Sequence, residues 1–155
     1  MTFFRYFPAK EDVALSDNFD PLLAELLGQT PATWPLIERI RAVLVTGLRK
    51  VYDTERDALL AQNKLIVETP ALRERLWADQ IATQQLILQA LSTGRPDSTG
   101  QPDSTGQPDS FHDRVTVAAC LAAASTAILT WVENNGTPEL PDLMDQAFDT
   151  LAHPC

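Results

Sequence analysis

From Val115 to Val132 the chain runs for 18 residues without a charged side chain. A helix that is apolar on every side has to be covered on every side. It crosses a membrane, or it sits at the centre of a bundle and packs on its own domain and on something else. This run of 18 residues lies at the lower edge of spanning length. Alanine, serine, threonine and cysteine make up most of it, however, and no cluster of lysine and arginine flanks it. It therefore reads as a central helix of a helical protein. Ala118, Ala119, Ala122, Ala123 and Ala127 are small enough to let another helix come close.

The rest of the chain supports an all-α fold of about six helices. Asp20 and Pro21 form a cap and a first-turn proline. Leu22, Leu23, Leu26 and Leu27 follow on one face, with Gly28 placed to close the helix in a left-handed conformation. A short helix over residues 11–15 precedes it. Thr33 is the expected cap of a helix over residues 34–52, whose stripe is Ile37, Ile40, Leu44, Leu48 and Val51. Glu38, Arg39, Arg41, Arg49 and Lys50 fall largely off that stripe. Gly47 inside it costs roughly 1 kcal/mol against alanine, which points to close approach by a neighbouring helix.

Asp53 or Thr54 restarts a helix to about Glu68, with Leu59, Leu60, Leu65, Ile66 and Val67 apolar. Thr69 and Pro70 open the next, which carries Leu72, Leu76, Thr83, Ile87 and Leu91 with Trp77, Ile81 and Leu88 on its flank. Asn134, Asn135 and Gly136 end the central helix. Thr137 and Pro138 begin the last one, where Leu140, Leu143, Met144, Ala147, Phe148 and Leu151 oppose Asp142, Asp145 and Asp149. No segment alternates with the period of a strand.

Residues 92–110 differ in kind. Pro-Asp-Ser-Thr-Gly with one further polar residue recurs at Pro96, Pro102 and Pro108. Such a segment cannot bury enough surface to offset its ordering entropy, so a disordered loop is expected there.

Catalytic chemistry finds no support. His112 and His153 are not in a metal-binding spacing, and neither a phosphate loop nor a nucleophile elbow is present. Cys120, between alanine and leucine, reads as a buried inert thiol. The expectation is no enzyme, no cofactor and no metal. Two cysteines far apart, Cys120 and Cys155, and no recognisable signal peptide fit the cytoplasm rather than a membrane or an oxidising compartment. A net charge of −9 argues against a broad nucleic-acid surface, and Arg5 and Lys10 alone are basic among the first 38 residues. Trp34, Tyr52 and Trp77, aromatics with a polar tip, and the pair Gln80 and Gln84 are candidates to line a small-molecule pocket between helices.

The opening residues 2–12, Thr-Phe-Phe-Arg-Tyr-Phe-Pro-Ala-Lys-Glu-Asp, resemble the end of the DNA-recognition helix and the start of the next in TetR-type transcriptional regulators. By that resemblance Thr2, Phe4, Tyr6 and Lys10 match positions that contact the DNA backbone. Glu68-Thr69-Pro70-Ala71-Leu72-Arg73-Glu74-Arg75-Leu76 resembles a frequent helix start in the regulatory domain of these proteins. The alanine-rich helix ending Trp131-Val132-Glu133-Asn134-Asn135-Gly136 and the amphipathic helix after it resemble their closing pair.

The resemblance implies a TetR-like C-terminal regulatory bundle whose last two helices form a homodimer interface. Ala119, Ala122, Ala123, Ala127, Leu140, Leu143, Met144 and Phe148 are the residues assigned to it. It also implies a small-molecule effector between the preceding helices and control of transcription, as a repressor. Residues 1–12 would be the remnant of a helix-turn-helix domain and residues 13–155 the effector-binding and dimerisation domain. Operator DNA is expected as a partner only together with the first two helices of that unit, which are not in this sequence. The alternative expectation is a helical dimerisation and ligand-binding protein that does not bind DNA.

Overall fold

The computed structural model describes residues 25–93 and 111–153, and among them every regular element is a helix. These are α1, whose described part is residues 25–29, then α2 (Leu36–Glu68), α3 (Pro70–Thr93), α4 (Phe111–Glu133) and α5 (Leu140–Ala152). The all-α expectation holds. The opening motif with Thr2, Phe4, Tyr6 and Lys10, the expected helix over residues 11–15 and the repeats at 94–110 lie outside the described residues.

The apolar run becomes α4, with Val117, Cys120, Leu121, Ala124, Ala127, Ile128, Trp131 and Val132 buried along one side. By length and composition α4 could cross a membrane, yet 44% of its most apolar window is buried within the protein. Its largest contact is with α5, and α2 and α3 pack against it from the other directions. In α5, Leu140, Met144 and Phe148 are wholly enclosed. Full burial of such side chains stabilises by about 1.5–3 kcal/mol each, so this seam is a main source of the fold's stability.

α2 departs from the expected pair of helices. It is one helix of 33 residues with a kink at Glu55, whose φ of −131° and ψ of 25° are non-helical. Thr54 bonds back to the Val51 carbonyl at 3.2 Å instead of capping a new helix. The buried stripe of the first half is Ile40, Val43, Leu44, Leu48 and Tyr52, and Gly47 is buried as its position suggested. Beyond the kink Leu59, Asn63 and Ile66 face inward, while Leu65 lies exposed.

The helix starts at Leu36, with Pro35 rather than the expected Thr33 at its cap position. A preceding turn already satisfies the Trp34 amide through the Pro31 carbonyl at 3.1 Å. Nor does Gly28 close α1 in a left-handed conformation. The amide and hydroxyl of Thr30 both donate to the Leu27 carbonyl, at 3.2 and 2.6 Å, and end that helix.

The turn from α4 to α5 does need its glycine. Asn135 and Gly136 take φ values of 55° and 86°, and the Gly136 amide donates to the Trp131 carbonyl at 2.8 Å, closing the helix end. A side chain there would also meet Arg56 and Leu60 at 3.0 Å. We predict that Gly136→Ala lowers stability by about 1–2 kcal/mol and Phe148→Ala by about 3–5 kcal/mol, as read by urea denaturation. An unchanged midpoint for Gly136→Ala would mean the turn adapts without its left-handed residue.

Candidate functional site

The five residues proposed from sequence as pocket lining occupy different environments. Tyr52 is buried, its ring 5.8 Å from that of Trp131 at an interplanar angle of 53°. Trp77 is 69% exposed on the outer side of α3, because the edge of that helix that meets the core carries Thr83, Ile87 and Leu88 instead. Gln80 is half-buried, and Gln84 donates to the Arg114 carbonyl of α4 at 3.4 Å. Trp34, just ahead of α2, is the member of the set that borders a described cavity.

That cavity has a volume of about 330 Å³ and lies where the end of α1 and the start of α2 meet α3 and α4. Leu27, Leu36, Leu91 and the Trp34 indole form apolar walls, and Arg39, Thr30 and Asp113 supply polarity. Its size falls in the range of small-molecule sites. Arg39 is held in place rather than free to swing. Its Nε donates to Thr30 Oγ1 at 2.9 Å and its Nη2 to the Leu27 carbonyl at 3.2 Å. On the far side of Trp34 a shallower groove of about 240 Å³ runs between Arg41, Val45 and Asp145, so one indole separates two depressions.

Charged contacts tie α2 to α5 at two places. Arg41 donates to Asp149 at 2.7 Å and to Asp145 at 3.0 Å. The bond to Asp149, followed by that to Asp145, raises the Arg41 pKa against the opposing effect of burial.

One turn before the kink, the Tyr52 hydroxyl donates to Glu139 and accepts from the Leu140 amide at 3.4 Å. Arg56, just beyond the kink, donates to Glu139 at 3.0 Å and to the Gly136 carbonyl at 2.7 Å. The Tyr52 hydroxyl, and after it Arg56, hold the Glu139 carboxyl below its ordinary range. Burial and then the bond to Glu139 push the Tyr52 hydroxyl up.

Sequence reasoning missed Arg39, Arg56 and Glu139. The first was assigned to the outward side of α2, and nothing local marks the other two, whose partners lie about eighty positions away along the chain.

Cys120 is buried, and desolvation pushes its thiol up to about 12. At neutral pH it is a protonated, inert core residue, as expected.

The residues assigned to a partner interface divide into two groups. Leu140, Met144, Phe148 and Ala127 are buried inside the single chain, which corrects their assignment. The strongest apolar stripe of α5 faces its own core, because that is where burial gains most. Ala119, Ala123 and Leu143 are half-buried and Ala122 is exposed. With Val115, Thr126 and Leu129, Ala119 and Ala122 form an outward row spaced by four, three, four and three residues. That is the spacing of a seam between two helices. On α5 the side away from its ion pairs carries Leu143 and Ala147, half-buried, and Thr150, exposed.

The Glu139 contacts carry a pH dependence. A carboxyl whose folded pKa is depressed contributes stability above its unfolded value of about 4.3, and loses that contribution as pH falls through the lower folded value. Glu139→Gln is therefore expected to destabilise the protein at pH 7, with the gap to wild type narrowing at pH 3 in urea titrations. An equal gap at both pH values would contradict the pairing.

A family model described as the MftR C-terminal domain, among the C-terminal domains of TetR-type regulators, matches residues 34–155. No curated protein matches the chain.

Proposed function

The chain belongs to the TetR-type regulators through their C-terminal regulatory domain, and from that premise we propose that it works as a homodimeric transcriptional repressor controlled by a small molecule. The observation that carries the homodimer is the row Val115, Ala119, Ala122, Thr126 and Leu129. It is uncharged and of heptad spacing, and it lies on the side of α4 away from the core. A helix with a row of that kind is covered economically by a second copy of itself, since a two-fold axis brings the same surface to both sides. Leu143 and Ala147 on α5 widen the interface into four helices.

The effector would occupy the cavity beside Trp34. Its walls belong to α1, α2, α3 and α4, so a bound molecule would bias the angle between the start of α2 and the closing helices. In a dimer that angle sets the separation of whatever precedes α1 in each subunit. For a TetR-type regulator these are the DNA-reading heads. Thr2, Phe4, Tyr6 and Lys10 would contribute backbone contacts there, which position a protein on DNA without specifying sequence. The cytoplasm is where such a regulator acts. A mobility-shift titration separates this reading from a dimerising, ligand-binding protein that leaves DNA alone. Saturable binding to one duplex over a scrambled duplex supports the regulator.

Ala122→Glu would place an unpaired charge in the proposed seam, at a cost of about 3–5 kcal/mol where it becomes buried. We expect at least a hundredfold weaker self-association by sedimentation equilibrium, with the helical circular dichroism spectrum retained. Undiminished dimerisation would move the interface away from α4.

A further inference from the structure

We propose that the cavity beside Trp34 takes a compact, largely apolar monocarboxylate, recognised by Arg39. This rests on the cavity being the effector site and adds the chemical class of its ligand. The geometry of Arg39 makes the argument. A guanidinium offers two edges to a planar anion, the side edge of Nε with Nη2 and the end edge of Nη1 with Nη2. Thr30 Oγ1 and the Leu27 carbonyl occupy the side edge, at 2.9 and 3.2 Å. Those two acceptors fix the plane and position of the group. The end edge, with one proton from each of Nη1 and Nη2, carries no hydrogen bond among the described residues.

An arginine pre-oriented by backbone and hydroxyl, half-buried in the lining of a partly apolar cavity, matches a carboxylate better than a neutral polar group. Two parallel charge-assisted bonds form with little further ordering.

The other lining residues define the rest of the ligand. Leu27, Leu36, Leu91 and the Trp34 indole offer apolar contact and one flat aromatic face, which suits a ring or a short branched body. Asp113, in the first turn of α4, lies in the same lining. Among the lining residues Arg39 alone is cationic, so a second anionic group would find no counter-charge there, and a dicarboxylate or a phosphate monoester is disfavoured relative to a monocarboxylate. The volume of about 330 Å³ admits a molecule of the size of phenylacetate with room to spare.

The test is isothermal titration calorimetry of the full chain with phenylacetate, phenylacetamide and phenylmalonate. The amide keeps the shape and loses the charge, and the malonate adds a second carboxylate. We expect phenylacetate to bind at least about tenfold more tightly than either, by the gain of a charge-assisted pair. In Arg39→Lys, which keeps the charge and loses the fork, the preference over the amide should fall below about threefold. A thermal melt of that variant within a few degrees of wild type shows that the turn at residues 27–30 has survived. Thr46→Ala, on an exposed position of α2, serves as the control and should leave all three affinities unchanged.

Equal binding of acid and amide, or an unaltered preference in Arg39→Lys, overturns the carboxylate assignment while leaving effector control in place. Binding of none of the three overturns it also. Failure of the broader reading shows elsewhere, as a chain that sediments as a monomer.

Discussion

α4 has no polar face to give to water. Its inward side holds Val117, Cys120, Ala124 and Trp131 at 4% exposure or less, and its outward side holds Val115, Ala119, Ala122, Thr126 and Leu129. Among the described residues no other helix covers that outward side, and each of the others has its own apolar side to bury. The rest of the architecture follows from covering one side of α4 and leaving the other plain. α5 lies along it with Leu140, Met144 and Phe148, and α2 and α3 fill the remaining inward sectors.

α5 is short, and its amphipathic stripe alone would not fix its position along α4. α2 does that at two places. Arg41 holds the middle and end of α5 through Asp145 and Asp149. Tyr52 and Arg56, on either side of the kink at Glu55, hold its start through Glu139 and the turn at Gly136. Surface ion pairs of this kind contribute little energy singly, about 0–1 kcal/mol. Their importance is geometric. The same half of α2 carries Leu36 and Arg39 into the cavity and Arg41 towards α5. A ligand that moves the start of α2 therefore has a direct mechanical path to α5, and through it to the outward face the pair presents.

The parts of this fold that were legible in the sequence are those where a local pattern has a single physical solution. A charge-free run of small residues without basic flanks reads as a central helix, and apolar and acidic positions on opposite sides of residues 140–151 read as an amphipathic one. Asp53 and Thr54 resembled a helix start, but a long helix absorbs one non-helical residue at less cost than it forms a second nucleus. In α3 large apolar side chains occur on more than one side. Whether Trp77 or Ile87 met the core was decided by the neighbours, and Trp77 was left outside. Leu140, Met144 and Phe148 were assigned to a partner through the family resemblance, but they are the strongest stripe of α5 and the monomer buries them first. The cavity was the least legible feature. Arg39 looks solvent-facing along α2 until the turn at residues 27–30 folds over it, and that contact spans up to twelve positions.

The central claim is that α4 serves its own core with one side and a second copy with the other. Site-directed cross-linking tests it most directly. In a Cys155→Ser background, Ala122→Cys and Trp77→Cys are each treated with a short bis-maleimide at micromolar concentration. Both positions are exposed, and Cys120 is buried and protonated, so the reagent reports proximity between chains. The account predicts a covalent dimer from Ala122→Cys and monomer from Trp77→Cys. Cross-linking through Trp77→Cys with none through Ala122→Cys would contradict it.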